Sequence, residues 1–366
     1  MHRDSWITAL RFSLAGWRGP ALVLIPVAIV LSVTAMHPIL TFTCAALALV
    51  PLASLLGDST EQLGAHVGAT AGGLLNATAG NLPELVFGMI ALADGHAAVV
   101  RATVVGSIIG NLLLVFGLAA FAGSLGREKL RFSPAAADAN TKMLTLAALA
   151  LGTPSLFHHL HWGGSAASDA RLGQLNIWAA AVLLVVYAAS LIFMLHTHHS
   201  LFRGQSIVTP VIGRSAALAI LILAAGLVAV ISQVLVGGLE SITRSTGWTE
   251  LFIGVVIVAV LGNAAEHASA IVLARRGQMD LSLQIAVGSG AQVALFIAPL
   301  LVVVSRLWLP HCMVFHPLEI GAILVSVGVV TVATIDGETN WFEGLQLIGA
   351  YVILAAFFYF LPPLTN

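Results

Sequence analysis

Charge is scarce in this sequence. Asp, Glu, Lys and Arg make up 8% of its 366 residues, about a third of the ~25% found in a soluble globular domain. A water-soluble fold of this length would have too little charge to cover its surface. The same shortage excludes intrinsic disorder and a charged coiled coil. Cysteine is nearly missing too: Cys44 and Cys312 stand in unrelated apolar stretches, so neither a disulfide scaffold nor a metal cluster is implied. The net charge of −1 gives no reason to expect nucleic-acid binding. No HExxH or GxSxG motif and no catalytic pair of aspartates is found, so the chain is not read as an enzyme.

Hydrophobic residues are abundant, at 59% of the chain. They gather into eleven stretches long enough to cross a bilayer as helices, about 20 residues each. These run over 20–36, 39–57, 64–93, 100–124, 142–160, 174–196, 213–238, 248–275, 281–305, 316–335 and 341–361. The runs are too continuous for barrel strands, which alternate over about ten residues. The first two are separated only by His37 and Pro38 and also read as one bent element. The fold class expected is therefore an all-α polytopic membrane protein. Basic residues orient it, because cytoplasmic loops are enriched in Lys and Arg. With the N-terminus inside, eleven Lys and Arg fall on the cytoplasmic side and four (Arg101, Arg171, Arg244 and Arg306) outside, and the C-terminus emerges outside. The compact loops favour a bacterial inner membrane over a vacuole. The histidine groups at 196–199 and 158–161 read as solvated helix ends rather than metal sites.

An internal repeat organises these spans. Gly80-Asn81-Leu82-Pro83-Glu84 in the third span matches Gly262-Asn263-Ala264-Ala265-Glu266 in the eighth, 182 residues later. Gly106-Ser107 in the fourth matches Gly288-Ser289 in the ninth at the same offset of 182. One such match arises easily in apolar sequence; two on consecutive helices without a gap do not. The layout expected is a segment 1–38 with the first helix, a five-helix repeat over 39–200, a cytoplasmic linker over 201–212 and a second five-helix repeat over 213–366. Five is odd, so the two repeats have opposite orientations in the membrane, a recurring build of secondary transporters.

Most of the 16 acidic residues lie in loops or near span ends, but Glu84 and Glu266 lie deep within theirs. An ionisable group at that depth costs about 2.5–3.5 kcal/mol on insertion scales and reads as functional by default. Gly68, Gly72, Gly73, Gly80 and Pro83 predict a broken helix in the third span, whose freed carbonyls can coordinate an ion. Asn76, Thr78, Asn81, Ser107 and Asn111 in one half, and Asn263, Ser289 and Gln292 in the other, add oxygen donors. An all-oxygen set suits a hard cation, Ca²⁺ in particular. His267, next to Glu266, points elsewhere on its helix and is read as a supporting or proton-relay group.

At these residues the sequence resembles the cation/proton exchanger family, Ca²⁺/H⁺ antiporters of the cation/Ca²⁺ exchanger superfamily. The likeness rests on Gly72–Leu85, Gly262–His267, Gly106–Leu112 and Gly288–Gln292, and extends over spans 3–11. It implies Glu84 and Glu266 as the Ca²⁺ and proton carriers, with Asn81, Ser107, Asn263, Ser289, Gln292 and Asn111 around them. Gly80, Pro83, Gly106, Gly110, Gly262 and Gly288 would shape the backbone. Gly110 replaces the family's usual Ser, which removes one hydroxyl. The linker lacks the acidic segment many members carry there. The partners implied are Ca²⁺ and H⁺ as cargo and the lipid bilayer, with no permanently bound cofactor; a homo-oligomer is left open. A Na⁺-coupled Ca²⁺ exchanger and a broader divalent cation/proton antiporter are the alternative readings. A channel, built on rings of oligomer symmetry, fits an internal inverted pair poorly.

Overall fold

The structure is a computed structural model that describes residues 6–34, 37–67, 69–160, 166–198, 210–308 and 313–362. Gly68, His161, His199, Cys312 and most of the expected linker lie outside the described residues. The apolar runs are helical because a helix satisfies its own backbone groups where no water can do so. In chain order the helices are α1 (Trp6–Ser13), α2 (Arg18–Thr34), α3 (Pro38–Val67), α4 (Ala69–Ala79), α5 (Leu82–Ala93), α6 (Ala97–Ser124) and α7 (Pro134–His159). They continue with α8 (Ala166–Ile192, extended as a π-helical turn to Thr197), α9 (Arg214–Thr246), α10 (Glu250–Gly262), α11 (Ala264–Arg275), α12 (Met279–Ser305), α13 (Pro317–Ala333) and α14 (Trp341–Phe360). Six of them, α3, α6, α8, α9, α12 and α14, are long and apolar enough to cross a membrane. The pairs α1/α2, bent by 78°, and α10/α11, bent by 58°, bring this to eight if each is one span.

Some elements follow the sequence expectation and others differ from it. The first two stretches are separate helices, α2 and α3, which pack against each other. The third stretch is two helices, α4 and α5, interrupted at Gly80-Asn81 as the glycines and Pro83 suggested. The eighth stretch also breaks, at Asn263 (φ −97°, ψ 5°), although no proline stands there. The helix expected from 142 begins at Pro134, where Ser133 caps it by accepting the Ala136 N–H at 3.3 Å. A short antiparallel ladder, β1 (Leu130–Arg131) with β2 (Glu338–Thr339), joins two connections read as plain loops.

The helices sort into a centre and a rim. Over their most apolar windows α6 is 83% buried and α12 72%, whereas α8 is 17% and α14 22% buried. Rim helices present Trp178, Val185, Ile222, Leu223, Val352 and Ile353 outward, an apolar exterior suited to lipid and hostile to water. Within the centre, glycines bring backbones together. A Cβ at Gly106 of α6 would stand 2.2 Å from the Val255 carbonyl oxygen of α10, and one at Gly117 2.9 Å from Leu347 Cβ of α14. Close approach of this kind drives helix association in lipid, where the hydrophobic effect between helices is lost.

Polar contacts divide the connections between two faces. On one face, Arg18 pairs with Asp58 at 2.6 Å and Gln62 Oε1 accepts the Val211 N–H at 2.6 Å. Here too Arg127 donates to the Arg275 carbonyl at 3.0 Å, Ser133 N–H donates to Asp280 at 2.6 Å, and Lys129 pairs with Glu338 at 2.6 Å. The hydrogen bond from the Lys129 ammonium holds the Glu338 carboxyl below its usual range, so the stability from this pairing is fully present above the ordinary carboxylate range and is lost as pH falls below it through the lowered value. On the other face, His96 pairs with Glu250 at 3.1 Å, Gln233 donates to Asp94 at 2.7 Å, and Asn176 donates to the Met313 carbonyl at 2.8 Å. The basic loops gather on the first face, the one expected in the cytoplasm from the positive-inside bias. Single cysteines at Glu128 and Asp336 are expected to react with an impermeant thiol reagent from the cytoplasmic side only, and one at Glu250 from outside only. Labelling of Glu128→Cys and Asp336→Cys from opposite sides would break the assignment.

Candidate cation site

The site forms where the two broken helices meet in the centre. Asn81 (φ −94°, ψ 19°) and Asn263 (φ −97°, ψ 5°) occupy the sparsely populated bridge region and end one helix as the next begins. Neither break carries a side-chain cap. Pro83 sits in the first turn of α5, where its missing N–H costs nothing. Glu84 and Glu266 each fall in the first turn of the helix that restarts, a position favourable to negative charge.

The two carboxylates reach across to each other's half. A Cβ at Gly80 would stand 3.7 Å from Glu266 Oε1, and one at Gly262 would stand 3.9 Å from Glu84 Oε1. Each glutamate thus lies over the glycine of the opposite break. The surrounding amides and hydroxyls bridge the halves in the same way. Asn81 donates to Gln292 Oε1 at 2.8 Å, Asn263 donates to Ser107 Oγ at 3.1 Å, and Asn111 donates to Ser289 Oγ at 3.5 Å. Ser289 Oγ in turn donates to Glu266 Oε2 at 2.7 Å. Ser107, Asn111 and Ser289 come from the central helices α6 and α12, which carry π-helical turns at Gly110–Val115 and Val293–Ile297. Such turns often accompany functional positions.

Among the described residues, three buried oxygens at this centre have no hydrogen-bond partner: Glu84 Oε2, Asn81 Oδ1 and Asn111 Oδ1. Buried acceptors are ordinarily satisfied. Oxygens left without donors and converging with two carboxylates form a set that accepts a cation or protons.

The expected oxygen donors come together at this centre except two. Asn76 is exposed on α4, and Thr78 spends its hydroxyl on the Leu74 carbonyl of its own helix at 2.8 Å. His267 is buried one residue past Glu266, and its N–H donates to the Asn263 carbonyl at 3.0 Å. Gly288 is covered by its own helix's Gln284, whose Nε2 would stand 2.8 Å from a Cβ there. The expectation that only two carboxylates are buried fails at Glu319. It is fully buried near the start of α13 and pairs with Arg101, itself buried, at 3.4 Å. Glu319 stands near a span end, where sequence gives no signal of depth. Among the described residues no group of three His, Cys, Asp or Glu can hold a metal ion.

Two glycines of the site separate packing from space. Gly106 faces the Val255 backbone, while a Cβ at Gly110 would meet nothing within 4 Å although Gly110 is buried. Gly106→Ala is expected to lower the thermal midpoint in detergent, a loss of about 1–3 kcal/mol or more from overpacking against unyielding backbone. Gly110→Ala is expected to leave that midpoint unchanged. Equal midpoints for both variants would refute the close α6–α10 contact.

Comparison with known proteins places the chain. The family model described as sodium/calcium exchanger protein matches residues 37–196 and 216–360. A Ca²⁺/H⁺ antiporter of Synechocystis is 39% identical over 343 residues, covering 88% of this chain and 91% of that protein. The Ca²⁺/H⁺ antiporter ChaA of Bacillus subtilis is 37% identical over 346 residues, covering 92% of this chain and 97% of its own. The solved structure of YfkE superposes with a TM-score of 0.79 at 36% identity, covering 93% of this chain and all of that one. A structure of an H⁺/Ca²⁺ exchanger, CAX, shares the fold at 15% identity with a TM-score of 0.66. The motif resemblance therefore holds along nearly the whole chain, and the protein is a transporter, not an enzyme. The chain belongs to the sodium/calcium exchanger family of membrane transporters.

Proposed function

We propose that the protein exchanges cytoplasmic Ca²⁺ for external H⁺ by alternating access, with Glu84 and Glu266 binding Ca²⁺ or protons in competition. The observation that carries this reading is the reciprocal placement of the two carboxylates over Gly262 and Gly80. Two ionised carboxylates make the empty site doubly negative, and such a site resists passage through a low-dielectric core. One Ca²⁺ neutralises it, and so do two protons. Both loaded forms pass and the empty form does not, so competition for one site becomes exchange. Asn81, Asn111, Asn263, Ser107, Ser289 and Gln292 supply neutral oxygens that complete a flexible, many-membered calcium shell. Protons are favoured over Na⁺ as the coupling ion because amides and Gly110 stand where hydroxyls would help to build several Na⁺ sites. The relatives named Ca²⁺/H⁺ antiporters support the same choice.

The layout proposed is eleven crossings: 1–38 as an N-terminal segment with one helix, then inverted five-helix repeats over 39–200 and 213–366, joined by a cytoplasmic linker over 201–212. The alternation of polar contacts between two faces supports it, as do matching breaks at Asn81 and Asn263. The N-terminus is placed in the cytoplasm, the C-terminus outside and the protein in a bacterial inner membrane, with no permanently bound cofactor.

Glu84→Gln and Glu266→Gln are each expected to abolish Ca²⁺ flux in proteoliposomes while the protein still inserts, because Gln keeps the size and removes the charge. In calcium-loaded vesicles at clamped voltage, flux is expected to follow an imposed pH gradient and to ignore a Na⁺ gradient. Near wild-type flux in either variant overturns the shared site. Flux driven by Na⁺ alone at matched pH overturns the proton assignment.

A further inference from the structure

The buried pair of Arg101 and Glu319 lies outside the cation site. Arg101 Nε stands 3.4 Å from Glu319 Oε2, with side chains 5% and 0% exposed, and the same oxygen accepts the His316 N–H at 2.7 Å. Taking two charges out of water is expensive, and an apolar pair of similar size often does as well for stability alone. The 182-residue repeat gives this pair no mirror image, since Leu283 and Ala137 occupy the matching positions.

The place of the pair explains its presence in one half only. Arg101 projects from α6 roughly opposite a face made by Val99, Ala102, Thr103 and Gly106, the i, i+3, i+4, i+7 positions of a helix. That face receives α10. A Cβ at Gly254 would stand 2.5 Å from Ala102 Cβ, 2.9 Å from the Val99 carbonyl oxygen and 3.0 Å from the Thr103 nitrogen, and Gly106 meets Val255 as described. This contact closes the face of the site on the His96–Glu250 side. The corresponding contact in the other half is not made. Gly72, the match of Gly254, rests on the backbone of Gly64, and Gly288, the match of Gly106, lies under Gln284. Contact between backbones cannot adapt by changing rotamers. It holds only while α6 stays in one position, and Glu319 of α13 fixes α6 from behind.

We infer that Arg101 and Glu319 are positioning residues for the outer seal: the pair braces α6 against α13 and so keeps the wall on which α10 closes. This rests on the alternating-access reading above. Loss of either partner removes half of the brace between α6 and α13 and lets α6 shift, which weakens the seal and populates an outward-open form.

A cysteine at Thr103, in a chain whose two native cysteines are replaced, reports the seal through reaction with an impermeant thiol reagent added outside cation-free vesicles. With the pair intact, the Thr103→Cys reporter is expected to be protected. Added Arg101→Gln or Glu319→Gln is expected to speed labelling roughly tenfold or more, and the double change Arg101→Leu with Glu319→Leu to restore protection, because an apolar pair of similar size then takes its place. In flux assays the single variants are expected to raise the half-saturating cytoplasmic Ca²⁺ more than they lower the maximal rate, since fewer molecules face the cytoplasm. A merely structural role lowers yield and maximal rate together and leaves the labelling unchanged. Single variants that label like the parent overturn the inference, as does a double variant as open as the singles. The labelling needs no transported ion, so a protein that shows this pattern but carries no Ca²⁺ fails the proposed function and keeps the seal.

Discussion

Two carboxylates placed in the low-dielectric centre of a membrane protein set the terms for the rest of this structure. Glu84 and Glu266 cannot stay there as isolated charges. Every nearby element answers that constraint. The helices that carry them restart at Asn81 and Asn263, so each glutamate sits at a helix N-terminus, and the opposite glycine leaves room for its oxygen. Oxygens of Asn81, Asn111 and Glu84 are left without donors at the same place. Such an arrangement is costly when empty and is relieved by a cation or by protons.

Small residues make such a centre compact. α6 and α10 touch backbone to backbone at Gly106 and Gly254, and α6 and α14 approach at Gly117 and Gly344. Lipid gives helices no hydrophobic reason to associate, so close packing and polar bridges between halves do that work. The bridges from Asn81 to Gln292 and from Asn263 to Ser107 each join one repeat to the other. The site consequently exists only when both halves are in place.

The two halves share a pattern of residues but not a pattern of contacts. The Gly254 contact is closed, its counterpart at Gly72 is engaged elsewhere, and the buried Arg101–Glu319 pair backs the closed side alone. The repeated residues of the sequence thus adopt unequal packing in their two copies.

Much of this was legible in the sequence. The shortage of charge and the long apolar runs determined a helical membrane protein, because only helices and closed barrels satisfy their backbones in lipid. The shared offset of 182 residues between Glu84 and Glu266, and between Ser107 and Ser289, singled out residues that the structure brings together, because an ionisable group deep in an apolar span is costly. Glycines and Pro83 marked the break before α5. The break at Asn263 carried a weaker mark, Gly262 without a proline, since the Ala-Ala pair that follows reads as continuous helix. Asn76 and Thr78 looked like ligands by proximity in the chain, but the direction in which α4 faces removes both. The depth of Glu319, the pairing of β1 with β2, and which glycine contact is closed were decided by tertiary structure alone. Each depends on which helices become neighbours, and a linear pattern of apolar residues specifies that a face is buried without naming what buries it.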